Sequence, residues 1–341
     1  MEKILIIQTA FIGDVVLTLP MIEKLKEMFP TSVIDVVCIE TTAEIFKFSP
    51  FINEVLVFEK RGKHSSFKGL RLFARELKNR NYDRIYSPHR SFRTSLLVML
   101  TRVRETYGFS NADLKHIYKY SIEYHLGKHE VKRNFDLIEF NYSDESWKII
   151  PKLIIPPDVI LKVNNYFLSN KINKDFVALN PGSVWATKRY PVEYLNEIVD
   201  FILENNKQVV LIGGKNDKEI TSFIKSGYPE NVFDASGLFS LIDSIQLLKH
   251  SSLLITNDSA PTHLGMCADI KVLTLYCSTV PELGFYPYNN LSRYLSYDDL
   301  YCKPCGIHGF DECPLNTFDC GVQLKPGLVI KNIKEMIFES E

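Results

Sequence analysis

The 341-residue sequence has no apolar run near the roughly 18 residues that a membrane-spanning helix needs. It has no Gly-x-Gly-x-x-Gly loop after a strand, which excludes the usual dinucleotide-binding oxidoreductase. Nor does it contain an Asp-x-Asp pair, so a diphosphate chelated through a metal on such a motif is not indicated. Lysine and helix amino termini would have to neutralise a diphosphate instead. The opening run MEKILIIQTAF lacks a small-residue cleavage site and is interrupted by Gly13-Asp14. It reads as a buried strand and not as an export signal, which implies a cytoplasmic protein and disfavours a two-domain binding protein of the periplasmic type.

What is present is a globular composition, 45% hydrophobic and 24% charged, in a chain long enough for two domains. Short apolar runs alternate with helical patterns. KILIIQ, SVIDVVCI, EVLVFEK and DRIYSP read as strands, with helices over 15–28, 68–79 and 91–100 between them. FVALNPG, QVVLIGG, SSLLITND and KVLTLYC repeat the theme, with helices over 191–204, 217–225 and 261–268. Such alternation predicts parallel sheets covered by helices on both faces. We expect a first α/β domain over 1–160 and a second over 170–325. The proline-bearing stretch between them reads as a linker without sheet pattern, and 326–341 as a terminal helix packing back toward the first domain.

The net charge of −1 conceals an asymmetry. Residues 60–104 hold 13 Lys and Arg against Glu76 and Asp83, a local net of +11, whereas the remainder carries 27 basic and 39 acidic residues. This points to an anionic partner, or to a solvated helix face. Cys302, Cys305, Cys313 and Cys320 are spaced C-x2-C-x7-C-x6-C. Four thiolates suit a tetrahedral structural zinc, with His308 as a competing ligand and free thiols as the alternative.

Four loops follow the central strands, and their side chains should converge on the carboxyl ends of those strands. In QTAFIGD, Asp14 stands by a helix amino terminus, as a general base or as an N-cap. NPGSVWATKRYP places Ser183, Thr187 and Lys188 where a phosphate or diphosphate would bind. In GGKNDKE, Gly213 and Gly214 permit close approach of a ligand, and Asp217 or Glu219 could hold a ribose or cap a helix. TNDSAPTHLG exposes the backbone N–H groups of Ser259 to Thr262 to an anion, with His263 one turn on.

Together, IGDVVLTLP, PGSVWATKRYP and TNDSAPTHLG resemble the ADP-heptose:lipopolysaccharide heptosyltransferases, glycosyltransferase family 9, over essentially the whole chain. The resemblance implies a GT-B fold, two Rossmann-like α/β domains facing a central cleft. The acceptor would bind the first domain and the sugar nucleotide the second. It makes Asp14 the catalytic base of an inverting transfer. Lys188 and Asp258, Ser259, Ala260 and His263 match the family's donor site, and Ser183, Thr187, Gly213, Gly214, Asp217, Pro261 and Thr262 join them from the reading of the loops above. Ala260 stands where glycine is common, which should tighten that turn. Gly13, Arg61, Lys63, His89, Arg90 and Arg93 would meet an inner-core acceptor, either Kdo or a first heptose, with its carboxylates and phosphates. No nucleic-acid motif accompanies the basic charge. No cofactor is expected for catalysis, and peripheral association with the cytoplasmic face of the inner membrane is expected from the basic segment. A related transferase with another nucleotide sugar, and a two-domain binding protein without catalysis, are the rival readings.

Overall fold

A computed structural model describes residues 1–339; the last two residues of the expected 326–341 helix lie outside them. The chain divides into two compact units, Met1–Ile154 and Ile155–Glu341. In the first, the order is β1 (Lys3–Ile7), α1 (Ile12–Met28), β2 (Val33–Cys38), α2 (Glu40–Lys47), β3 (Glu54–Val57) and α3 (Phe67–Asn79). It continues with β4 (Arg84–Ser87), α4 (Phe92–Thr101), β5 (Glu105–Phe109), β6 (Tyr120–Ile122) and α5 (Glu130–Leu137). Its six-stranded sheet has the order β3-β2-β1-β4-β5-β6, every pair parallel. Ile4 to Ile7 of β1 are fully buried, each contributing about 1.5–3 kcal/mol of hydrophobic stabilisation. Such continuous burial is what a central strand covered on both faces requires.

The second unit runs α6 (Pro157–Asn170), β7 (Phe176–Asn180), α7 (Val192–Glu204), β8 (Val209–Leu211), α8 (Lys218–Ser226) and β9 (Val232–Asp234). After these come α9 (Leu241–Leu248), β10 (Ser251–Asn257), α10 (Ala260–Ala268), β11 (Val272–Tyr276), β12 (Arg293–Ser296), α11 (Asp319–Val322) and α12 (Pro326–Ile337). Its sheet, β12-β11-β10-β7-β8-β9, is again wholly parallel. Counted from the first strand of each unit, both sheets have the order 3-2-1-4-5-6 or its mirror listing. In each, strand order reverses beside the first strand, between β1 and β4 and between β7 and β10. Ligands of such sheets bind at that reversal, outside the carboxyl ends of the strands.

Two expectations need correction. The stretch read as a linker contains α6, whose Val159, Val163 and Phe167 are buried. Prolines 156 and 157 do not break structure there, because they occupy the N-cap and first-turn positions that need no N–H partner. The terminal helix α12 buries Val329, Ile333 and Met336 in the core of the second unit, beside Leu195 and Val199 of α7. Among the described residues no helix is long and apolar enough to cross a membrane.

Candidate active site

In the first unit, β1 runs out into Gln8 and Thr9, both buried, and the chain then turns into α1. Phe11 is the N-cap, so Asp14 lies in the first helical turn and is not itself the N-cap residue. Gly13 stands beside it in the same turn. Gln8 Nε2 donates to Thr18 Oγ1 at 3.0 Å, and Thr18 Oγ1 donates to the Asp14 carbonyl at 2.7 Å. This local ladder fixes the helix start beneath the carboxylate.

The Asp14 acid is pushed up to about 7, first by desolvation and then by the negative charge of Glu130. Backbone N–H groups of the helix start and the Arg90 guanidinium pull it down, without cancelling the burial. A carboxylate with its pKa near 7 is well matched to accepting a proton at neutral pH. Among the described residues Asp14 has no ion-pair partner within 4.0 Å.

The loop after β4 carries His89 and Arg90. His89 Nδ1 lies 2.8 Å from both Thr9 Oγ1 and Thr94 Oγ1. Burial, reinforced by Lys60 and Arg90, lowers this imidazole to about 3, so it is neutral at physiological pH. Arg90 lies over the Tyr124 ring, 4.0 Å from its centroid. The other expected acceptor residues diverge. Arg93 donates to the His64 and Ser65 carbonyls, and Lys63 pairs with Glu59 at 2.9 Å. Arg61 is exposed in the same turn as Lys63.

Sequence reading passed over four side chains here. Lys60 Nζ donates to the Thr9 carbonyl at 2.7 Å, and burial with help from Arg93 lowers its ammonium to about 8. Glu130 and Arg133 form a buried ion pair at 2.8 Å, three residues apart on α5. Tyr124 donates its hydroxyl to Glu130 Oε2 at 2.8 Å, and Arg133 donates to Tyr124 and the His125 carbonyl, each at 2.9 Å. Glu130 is thereby fixed as a charge that adds to the effect of burial on Asp14.

In the second unit, Lys188 closes a 3-10 turn, and its Nζ meets Asp258 Oδ2 at 2.6 Å. Thr279 donates to the same oxygen at 2.6 Å. Asn257 ties the two loops together, accepting from the Tyr190 N–H and donating to the Pro181 and Gly182 carbonyls. Ser259 is the N-cap of α10 without using its side chain to cap, and Pro261 sits in the first turn. The early N–H groups of that helix thus lack the usual side-chain acceptor. Ala260 opens the helix without a left-handed backbone, so its φ does not require glycine. His263 is buried, its Nδ1 has no hydrogen-bond partner among the described residues, and desolvation lowers it to about 4. Asp258 opposes that shift and Lys188 adds to it.

Three expected donor residues have structural duties. Thr187 is buried and accepts from the Phe310 N–H at 2.8 Å, while lying 3.1 Å from Ser278 Oγ. Ser183 is buried, and its carbonyl accepts from Arg189 at 2.9 Å. Asp217 Oδ2 accepts from the Gly214 N–H at 2.8 Å, which favours the capping reading. The same carboxylate occupies the space where a side chain on Gly182 or Gly213 would stand. Glu219 is exposed in the first turn of α8.

The zinc expectation is corrected. Among the described residues no group of three or more His, Cys, Asp or Glu side chains could hold a metal ion. Cys320 is buried in the core of the second unit, where desolvation pushes its thiol up to about 11. Cys305 Sγ is directed to the Cys302 carbonyl at 3.6 Å. The segment serves as a strap instead: Cys305 N–H donates to Ser278 and Phe310 N–H to Thr187. It also brings the His308 ring parallel to Trp185, 6.2 Å between centroids.

With both sites described, comparison with known proteins gives a consistent answer. The pattern of Glycosyltransferase family 9 (heptosyltransferase) matches residues 70–309. The chain is 25% identical over 338 residues to lipooligosaccharide heptosyltransferase 2 of Campylobacter jejuni, covering 98% of this chain and 99% of that one. A solved glycosyl transferase family 9 structure from Veillonella parvula superposes with a TM-score of 0.87 at 24% identity, covering 99% and 98%. The ADP-heptose lipopolysaccharide heptosyltransferase II of Escherichia coli does so with a TM-score of 0.80 at 18% identity, covering 99% of each chain. The doubled α/β architecture is that of the GT-B class, and the chain is a glycosyltransferase that belongs to family 9, the heptosyltransferases.

Proposed function

We propose that the enzyme transfers a heptose from ADP-heptose to a sugar of the lipopolysaccharide inner core, with inversion at the anomeric carbon. The relatives' names support this donor and acceptor class. The observation that carries the mechanism is Asp14, a carboxylate without an ion pair among the described residues and with its pKa raised to about 7. It takes the proton of the acceptor hydroxyl as that oxygen attacks the anomeric carbon. The new C–O bond forms while the bond from that carbon to the diphosphate oxygen breaks, and ADP leaves with the bonding electrons. Lys188 and the first N–H groups of α10 stabilise the departing charge, and His263 Nδ1 finds its missing partner in the donor. Gly13, His89 and Arg90 line the acceptor side, with Arg61, Lys63 and Arg93 as outlying cations for its anionic groups. No cofactor enters this scheme. The reaction is assigned to the cytoplasm, with the chain peripheral at the inner membrane.

The test is ADP release in the presence of inner-core acceptor, alongside calorimetry of ADP-heptose against UDP- and GDP-linked sugars. We expect ADP-heptose alone to bind tightly and to turn over. Asp14→Asn should lower turnover by about 10²–10⁴-fold while leaving ADP affinity within about twofold. Near-normal turnover in that variant would sink the assignment of the base. Preference for a UDP- or GDP-linked sugar would support the family-related transferase of different donor instead.

A further inference from the structure

The basic segment splits into two populations. Lys60, His89 and Arg93 turn inward, whereas Lys68, Arg71, Arg75 and Lys78 stand in one exposed row along α3. Arg102, at the end of α4, joins them around an open groove of about 550 Å3. None of these five cations has an ion-pair partner among the described residues. The nearby acids are already spent: Glu76 pairs with Arg80, and Asp83 accepts from the Lys3 N–H.

The same face exposes apolar side chains that the core does not use. Leu70, Phe73, Ala74 and Leu77 fill the buried stripe of α3, whereas Phe67 and Leu72 are 60% and 58% exposed among the cations. Leu100 of α4 lines the same groove. A helix that is buried on one stripe and mixes Lys or Arg with exposed Phe and Leu on the other matches the chemistry of a headgroup boundary. Cations meet lipid phosphates there, and the apolar side chains enter below them. Free phosphate would make no use of Phe67 and Leu72, and a solvated face would not need them.

We infer that the outer face of α3, with the end of α4, docks the protein on an anionic lipid bilayer. This deepens the proposed peripheral location by naming the surface. It rests on that reading only for its biological purpose, since binding to lipid is measured without sugar transfer.

The experiment is co-sedimentation of the full chain with vesicles of phosphatidylcholine alone or with 30–40% phosphatidylglycerol (roughly the range in which surface charge governs binding), at low and high salt. Binding should require the anionic lipid and weaken as salt rises. Arg71→Glu/Arg75→Glu should weaken it by at least roughly twentyfold, taking about fivefold per cation removed. Phe67→Ser/Leu72→Ser should weaken it at high salt as well, where electrostatic attraction is screened. Both pairs are exposed, and unchanged unfolding temperatures would confirm that they fold. Transfer to a lipid-free acceptor fragment should stay at the parent rate in both, which separates loss of docking from failure of the transferase reading. Equal binding to phosphatidylcholine, full binding by the charge-reversed pair, displacement by millimolar inorganic phosphate, or preference for an RNA oligomer over vesicles would each overturn the inference.

Discussion

Each unit places an aspartate just beyond the strand where its sheet reverses order, Asp14 after β1 and Asp258 after β10, and then handles it in opposite ways. Asp258 is saturated: Lys188 at 2.6 Å, Thr279 at 2.6 Å, and a lysine hydrogen bond to its own carbonyl. Asp14 has no such cation, and desolvation together with Glu130 keeps it prone to accept a proton. One acid organises a cation; the other is held ready to react. The two stand beyond strands at the reversal of their sheets, the first strand in one unit and the fourth in the other, and the side chains around each decide the chemistry.

Four perturbations would break or sharpen that contrast. The largest effect is expected from Asp14→Asn, whose cost of about 10²–10⁴-fold should fall on turnover and not on ADP binding. Its stability effect should run the other way. The folded acid keeps its proton up to about 7, whereas in the unfolded chain it sheds it near ~3.9. The folded form therefore binds more protons between those values, and the stability that Asp14 contributes falls as pH rises through that window. Thermal unfolding at pH 8 should show the Asn variant more stable than the parent, with the gap closing toward pH 4.

Next comes Arg133→Met, which strands Glu130 as an unpaired buried charge. We expect about 3–5 kcal/mol of destabilisation in denaturant titration, because the pair is broken from one side only. Lys188→Met should do the complementary damage in the second unit. ADP affinity, read by calorimetry, should drop about tenfold or more as charge-assisted contacts are lost, and the pH dependence of turnover should keep its position. The smallest effect on turnover is expected from Glu130→Gln, which breaks the same buried pair from its other side and so carries a stability cost of its own. Removing its charge relieves one of the forces that raise Asp14, so the rising limb of kcat/KM, centred near pH 7 in the parent, should move to lower pH. A limb that stays in place would assign it to another group.

Much of this was legible in the sequence because it depends on short-range order. An isoleucine-rich run followed by a turn and a helical pattern can only be a strand feeding a helix, and that placed Asp14 and the Asp258–His263 turn correctly at strand ends. The unread parts depend on distant partners. Glu130 and Arg133, three apart in a charged helix, look like a solvated pair, and only the packing of α5 against α1 buries them. The strands β5, β6, β9 and β12 are short and rich in polar or aromatic residues, and their neighbours in the sheet, not their own pattern, make them strands. Cysteine spacing alone suggested a metal site, but it could not reveal that the segment is held by hydrogen bonds to Ser278 and Thr187.

The wedge formed by Asp217 bears on how this chain can change over time. A methyl group on Gly213 would fall 2.8 Å from the Asp217 side chain, and one on Gly182 would meet its Oδ1 more closely still. Positions 182, 213 and 217 therefore form one unit of inheritance. Alanine at 182 should be harmful beside aspartate and better tolerated beside serine or glycine at 217, a sign of epistasis across loops 35 residues apart in sequence, whereas alanine at 213, which also meets the Asp217 Cβ, should need glycine there. In a library varied at all three sites, survivors should fall into matched sets, and a route from one set to another should need the change at 217 first.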